Sequence, residues 1–96
     1  MYVVVRRYTG ASALADAMVR REQEVRELIS TVPGFRAYYA ARTGGGDAVA
    51  TVTVCDDKAG TDESSKRAAG FVSDNLDAQL DPPEITEGST SLHFSG

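Results

Sequence analysis

The chain has 96 residues, 42% of them apolar and 25% charged, with a net charge of −4, one cysteine and no tryptophan. That is one small globular domain, 1–96, with no basic excess to neutralise a phosphate backbone and no second cysteine for an internal disulfide. No apolar run approaches the roughly 20 residues of a membrane span, and Val3-Val4-Val5 precedes Arg6-Arg7, the reverse of a signal peptide, so a cytoplasmic protein is expected.

Taken in order, Tyr2–Tyr8 reads as a first strand. Its three valines favour β geometry, and apolar side chains facing both ways imply cover on both faces. Gly10 breaks it and Ser12 is placed to cap a helix that runs to about Thr31. Leu14, Met18, Val25, Leu28 and Ile29 form the apolar stripe of that helix, with Arg21 and Glu22 falling where the stripe would continue. Val32-Pro33-Gly34 ends it.

Phe35–Thr43 is the second strand. Alternation sets Phe35, Ala37, Tyr39 and Ala41 on one face and Arg36, Tyr38, Ala40 and Arg42 on the other, a pattern that suits an edge. Gly44–Gly46 makes a hairpin rather than a phosphate cradle, because a strand and not a helix N-terminus follows. Ala48–Cys55 is the third strand and carries no charge. After the turn Asp56–Gly60, Thr61 is expected to cap a second helix reaching about Leu80. Its buried stripe is Ala68, Phe71, Val72, Leu76 and Leu80, with Gly70 allowing close packing. Asp81-Pro82-Pro83 stops this helix, and Glu84–Phe94 is the last strand, with a bulge or kink at Gly88.

This order, βαββαβ, is the ferredoxin-like pattern of an α+β domain: a four-stranded antiparallel sheet with two helices on one face. Right-handed crossovers place strands one and three centrally. The face without helices then needs cover that so short a chain cannot supply, so a symmetric homodimer through the open sheet face is expected.

The chain resembles the dimeric α+β barrel superfamily, and within it the antibiotic-biosynthesis-monooxygenase-like group. The resemblance spans nearly the whole sequence: the valine-rich first strand, Val32-Pro33-Gly34-Phe35 opening strand two, Ser64–Leu80 as the second helix, and Pro83–Gly88 entering the last strand. It implies a pocket between helices and sheet for a small apolar or aromatic molecule. It also implies, in its monooxygenase members, oxidation by O₂ without metal or flavin. Haem-degrading members use a histidine, a tryptophan and an asparagine; the only histidine here is His93, on the expected last strand.

Tyr38, Tyr39 and His93 are the candidate catalytic residues: phenols can orient or deprotonate a phenolic substrate, and histidine titrates near neutrality. Arg6, Tyr8 and Asn75 are the candidate ligand contacts. No cofactor or metal is expected, since no second histidine or cysteine stands at ligand spacing. Cys55 reads as a small buried hydrophobe, and the acidic residues Asp56, Asp57, Asp62 and Glu63 read as a solvated helix cap. The alternative to an enzyme is a non-catalytic dimer serving as a stress-response, scaffold or ligand-carrier protein.

Overall fold

The structure is a computed structural model, and it describes residues 1–76 and 80–96. Among the described residues, seven strands and α-helices follow one another, with a 3-10 turn at Gly44–Gly46 between the second and third strands: β1 (Tyr2–Tyr8), α1 (Ser12–Arg20), α2 (Glu22–Ser30), β2 (Phe35–Thr43), β3 (Ala48–Cys55), α3 (Lys58–Asn75) and β4 (Glu84–Ser89). The sheet is four-stranded in the order β2-β3-β1-β4, and every neighbouring pair is antiparallel. This is the expected α+β, ferredoxin-like arrangement with β1 and β3 in the middle. Among the described residues no helix is long and apolar enough to cross a membrane.

The helices cover one face of the sheet. Val4, Arg6 and Tyr8 of β1 and Val49, Thr51, Thr53 and Cys55 of β3 turn towards them and are buried. The core is built from Tyr8, Leu14, Ala15, Val49 and Phe71, with Met18, Val25, Leu28, Val72, Leu76 and Leu80 packed against it. Both expected helical stripes therefore face inward.

Several local expectations are corrected. The first helix is two helices, broken at Arg21, whose backbone leaves the helical region (φ −114°, ψ 36°). The break falls where Arg21 and Glu22 interrupt the stripe, and it leaves both side chains exposed. Ser12 is already inside α1; its cap position is Ala11, which has no capping side chain. Nor does Thr61 cap α3. Asp57 does, accepting a hydrogen bond from the Gly60 amide at 3.3 Å, so the helix starts four residues earlier. The same helix ends at Asn75, with Leu76 extended at its C-cap; the stretch of the expected helix at 77–79 lies outside the described residues. Finally, β4 stops at Ser89, and Gly88 pairs squarely with Val3 in unbroken register.

The irregularity in the sheet lies elsewhere. The register of β2 on β3 slips between Phe35 and Ala37, so Phe35 pairs with Cys55 while Ala37 pairs with Val54. The slip removes Phe35 from the face shared by Ala37, Tyr39 and Ala41. Close packing of helix on sheet falls to Gly60 rather than Gly70. A Cβ on Gly60 would stand 2.3 Å from the Pro33 carbonyl oxygen and 2.8 Å from Cys55 Cβ, whereas one on Gly70 would meet nothing. Gly44, Gly45 and Gly46 all adopt positive φ, which explains the three glycines of this turn.

Candidate functional site

Arg6 organises the interior between sheet and helices. It occupies the middle of a central strand, on the helix face, and is 1% exposed. Its guanidinium is held by hydroxyl groups from two elements. Nε donates to Thr51 Oγ1 at 3.3 Å and Nη2 to Thr53 Oγ1 at 2.6 Å, both on β3; Nη1 donates to Ser64 Oγ at 3.3 Å and Ser65 Oγ at 2.9 Å, both on α3. Ser64 in turn donates its own proton to the Thr61 carbonyl oxygen at 2.7 Å, leaving its oxygen free to accept from Arg6. Hydroxyls solvate a buried cation but do not neutralise it. Burial accordingly pulls the Arg6 pKa down, partly opposed by Tyr8, Tyr38 and Cys55.

Two phenols flank this cation. Tyr8 follows Arg6 by two residues and so shares its face, while Tyr38 enters from β2, where it pairs with Thr53. Burial raises the pKa of Tyr8, with Arg6 opposing. It pushes Tyr38 up to about 12, against the opposing pull of Arg6, with Tyr8 adding to the rise and Thr51 lowering it. Both are neutral phenols at physiological pH. They can donate hydrogen bonds but cannot serve as a ready base.

Two spaces adjoin these groups. An inner cavity of about 30 Å³, enough for about one water, is lined by Tyr8, Tyr38, Thr51, Leu14, Leu28 and Phe71 among others. An open groove of about 510 Å³ runs between α1–α2 and β2. Met18, Val25, Ile29, Phe35 and Ala37 form its apolar walls, Tyr38 and Tyr39 its phenolic ones, and Glu22 and Arg26 are its charged residues. Met18, Val25, Ile29 and Tyr38 line both spaces, so Tyr38 stands in the wall between them. The inner space is largely filled by apolar side chains; the room for a ligand is in the groove.

The six residues singled out from sequence part company here. Arg6, Tyr8 and Tyr38 come together. Tyr39 alternates to the opposite face, pairs with Val52, is 65% exposed, and reaches only the outer wall of the groove. Asn75 ties α3 to α2 instead, its Nδ2 donating to the Phe71 carbonyl at 3.0 Å and to Glu24 Oε2 at 3.2 Å. His93 lies beyond the end of β4, exposed, and lines neither space. Four residues that hold Arg6 were not anticipated: Thr51, Thr53, Ser64 and Ser65. The signal for two of them was present, since an arginine turned inward on a valine-rich strand needs acceptors, and Thr51 and Thr53 recur with the right period on the uncharged neighbour.

No protein-family model matches the chain, and no curated protein matches it. Solved structures do. The monooxygenase ActVA-Orf6 of Streptomyces coelicolor, in complex with nanaomycin D, superposes with a TM-score of 0.69 at 18% identity, over 99% of this chain and 91% of its own. An antibiotic biosynthesis monooxygenase candidate from Chloroflexus aurantiacus gives 0.66 at 20% identity, over 98% and 96%. The heme-degrader MhuD from Mycobacterium tuberculosis, with two hemes in its active site, gives 0.66 at 13% identity, over 98% of each chain. Proteins of differing activity thus share this architecture, and the chain has the antibiotic-biosynthesis-monooxygenase fold.

Proposed function

We propose that this protein binds a small, mostly apolar aromatic molecule in the groove between α1–α2 and β2. The observation that carries the reading is the groove itself: about 510 Å³, walled by aliphatic side chains, with the neutral Tyr38 phenol at its inner side. That volume is within the range of small-molecule sites. Tyr38 is the polar group best placed to orient a ligand there, and Tyr39 closes the outer side.

The reaction class that fits is cofactor-independent oxidation by O₂. An electron-rich aromatic loses its own proton, its carbanion or enolate gives electrons to O₂, and one oxygen atom enters the substrate while the other leaves as water with the hydrogens of the oxidised CH₂. The protein's part is to exclude bulk water, hold the ring and donate hydrogen bonds to the developing oxyanion. Since Tyr8 and Tyr38 stay protonated, the substrate must supply the acidity. None of the described side chains lining the groove is a histidine, so the groove wall does not fit a haem held through histidine.

The active form in this reading is a homodimer. Val3, Val5, Ala50, Val52 and Val54 lie on the sheet face opposite the helices and are only partly buried within one chain. A contiguous apolar face on a central strand pair favours pairing with a second copy.

Oxygen uptake against a panel of anthrones and polyphenols tests the catalytic reading. Turnover is expected with the more acidic members, falling about tenfold in Tyr38→Phe through loss of one hydrogen bond to charge. A second reading, a ligand carrier without turnover, draws on the absence, among the described residues lining the two spaces, of a histidine beside Tyr38. Saturable binding of the same compounds with no oxygen consumed selects it, and no binding at all removes both.

A further inference from the structure

Nothing among the described residues balances the buried cation of Arg6. Among the described residues it takes part in no ion pair, and the ionisable side chains that act on it are Tyr8, Tyr38 and Cys55, each neutral at physiological pH. Its surroundings from α3 are the uncharged Ser64 and Ser65, and from β3 Thr51 and Thr53. A structural arginine buried to this extent is ordinarily paired with a carboxylate, because breaking such a pair costs several kcal/mol. Here four hydroxyls take four of the five N–H bonds and leave the charge itself unanswered.

The direction of the hydrogen bonds shows where that charge is felt. Arginine only donates, so Thr51 Oγ1 is an acceptor towards Arg6 and its own proton is free to be given elsewhere. The Tyr38 phenol is the neighbour Thr51 acts on. Thr51 and Tyr38 line the same inner cavity and Tyr38 also forms the wall of the groove, so its neutral phenol is placed to give its proton to a groove ligand. The order is therefore guanidinium, threonine hydroxyl, phenol, groove, with Arg6 the donor at its inner end. The group that meets Tyr38 has to be an acceptor, and a negatively charged oxygen answers Arg6 best.

Resting on the groove reading above, we propose that Arg6 is a specificity-determining residue which, through Thr51 and Tyr38, makes the site select aromatic ligands that carry an ionised oxygen. It does so without touching the ligand: Arg6 lines neither space. The selection operates between the anion and the neutral form of one molecule, not between molecules of different shape.

The test uses two chromophores of nearly equal size, para-nitrophenol, which ionises with a change of colour, and para-nitroanisole, which cannot ionise. Both are expected to bind the wild-type protein. The bound nitrophenol should ionise about one pH unit below the free compound, a tenfold preference for the anion. Arg6→Met should abolish that displacement while leaving nitroanisole affinity within about twofold, and Arg6→Lys should keep most of it. A wild-type protein that binds nitroanisole and does not displace the nitrophenol titration overturns this proposal alone. So does a displacement that survives in folded Arg6→Met. Failure of both probes to bind overturns the groove reading and this proposal with it. Should the Arg6 variants not fold, Thr51→Val and Tyr38→Phe interrupt the same chain further out; each should cut the displacement at least threefold, and an unchanged displacement in both overturns the proposal.

Discussion

On β3 the side chains turned towards the helices are Val49, Thr51, Thr53 and Cys55, all buried; those turned away are Ala48, Ala50, Val52 and Val54, and three of the four are only partly buried. Its partner β1 repeats the pattern, with Arg6 and Tyr8 inside and Val3 and Val5 outside. On both strands the helix face sets polar side chains beside the buried Val4 and Val49, while the outer face, Arg7 apart, is aliphatic. Polar groups buried in this number run against the usual preference. The inner face carries polarity because hydroxyls and phenols surround Arg6, and each of these costs desolvation that packing alone would not require. The outer face carries aliphatic surface that is wasted in a monomer. On this comparison the proposed site draws on the inner face and the proposed dimer contact on the outer one.

The sharpest way to break the comparison is to charge the outer face. Val52→Lys puts an ammonium at the centre of the open side, opposite Tyr39 on β2 and Val5 on β1. If a second copy covers that face, the variant should change from dimer to folded monomer in sedimentation at micromolar concentration. A wild-type protein already monomeric there shows that the exposed valines serve no self-association.

The inner face should tolerate far smaller changes. Gly60 lets the first turn of α3 lie on the Pro33 carbonyl and Cys55, and Gly60→Ala forces a methyl group into backbone. Overpacking of this kind costs about 3 kcal/mol. Gly88→Ala, where a Cβ meets nothing within 4 Å, should stay within about 0.5 kcal/mol. Denaturant midpoints measure both, and equal midpoints would show that the α3–sheet contact is softer than its geometry implies.

Strand content was the most legible part of the sequence. The bounds of β1, β2 and β3 and the central placement of β1 and β3 follow from hydrophobic pattern and crossover handedness, and the structure reproduces them. Helix ends were not legible, for local reasons. Asp56, Asp57 and Thr61 are all competent caps, and only the close approach at Gly60 decides among them. The end of β4 was set by its neighbour rather than by its own residues: Ser89 pairs with Tyr2, the first residue of β1, and past Thr90, whose amide reaches the Met1 carbonyl oxygen, there is no strand left to pair with. His93 was placed on that strand and falls beyond it. In the site, Arg6 and Tyr8 share a face by simple alternation, but Ser64 and Ser65 come from a helix 58 and 59 positions away in sequence, a distance that no local pattern reports.

A smaller effect separates the two faces by pH. Tyr38 has a folded pKa of about 12 against an ordinary 10.0. The unfolded chain releases this proton from pH 10 upward while the folded chain keeps it, so stability is intact below pH 10 and falls as the pH approaches 12. Two pH units correspond to roughly 2 kcal/mol after allowance for partial solvent contact. Tyr38→Phe should flatten the alkaline fall in unfolding free energy by about that amount. An identical slope in the variant would place the phenol in a wetter setting than the inner face provides.

The smallest effect concerns how α3, which brings Ser64 and Ser65 to Arg6, is anchored. Its cap is a single hydrogen bond from the Gly60 amide to Asp57 Oδ1, and loss of such a cap costs about 1 kcal/mol. Asp57→Ala should therefore lower stability by that amount, and Asp57→Asn, which keeps the acceptor, by only a few tenths. Thr61→Val separates capping from packing. Thr61 is buried inside the first turn and its hydroxyl donates to the Lys58 carbonyl oxygen at 3.1 Å, a bond the helix can lose while its cap remains. If Thr61→Val proves costlier than Asp57→Ala, then α3 is held by what it presses against the sheet more than by the way it begins, and the inner face is the stronger anchor of the two.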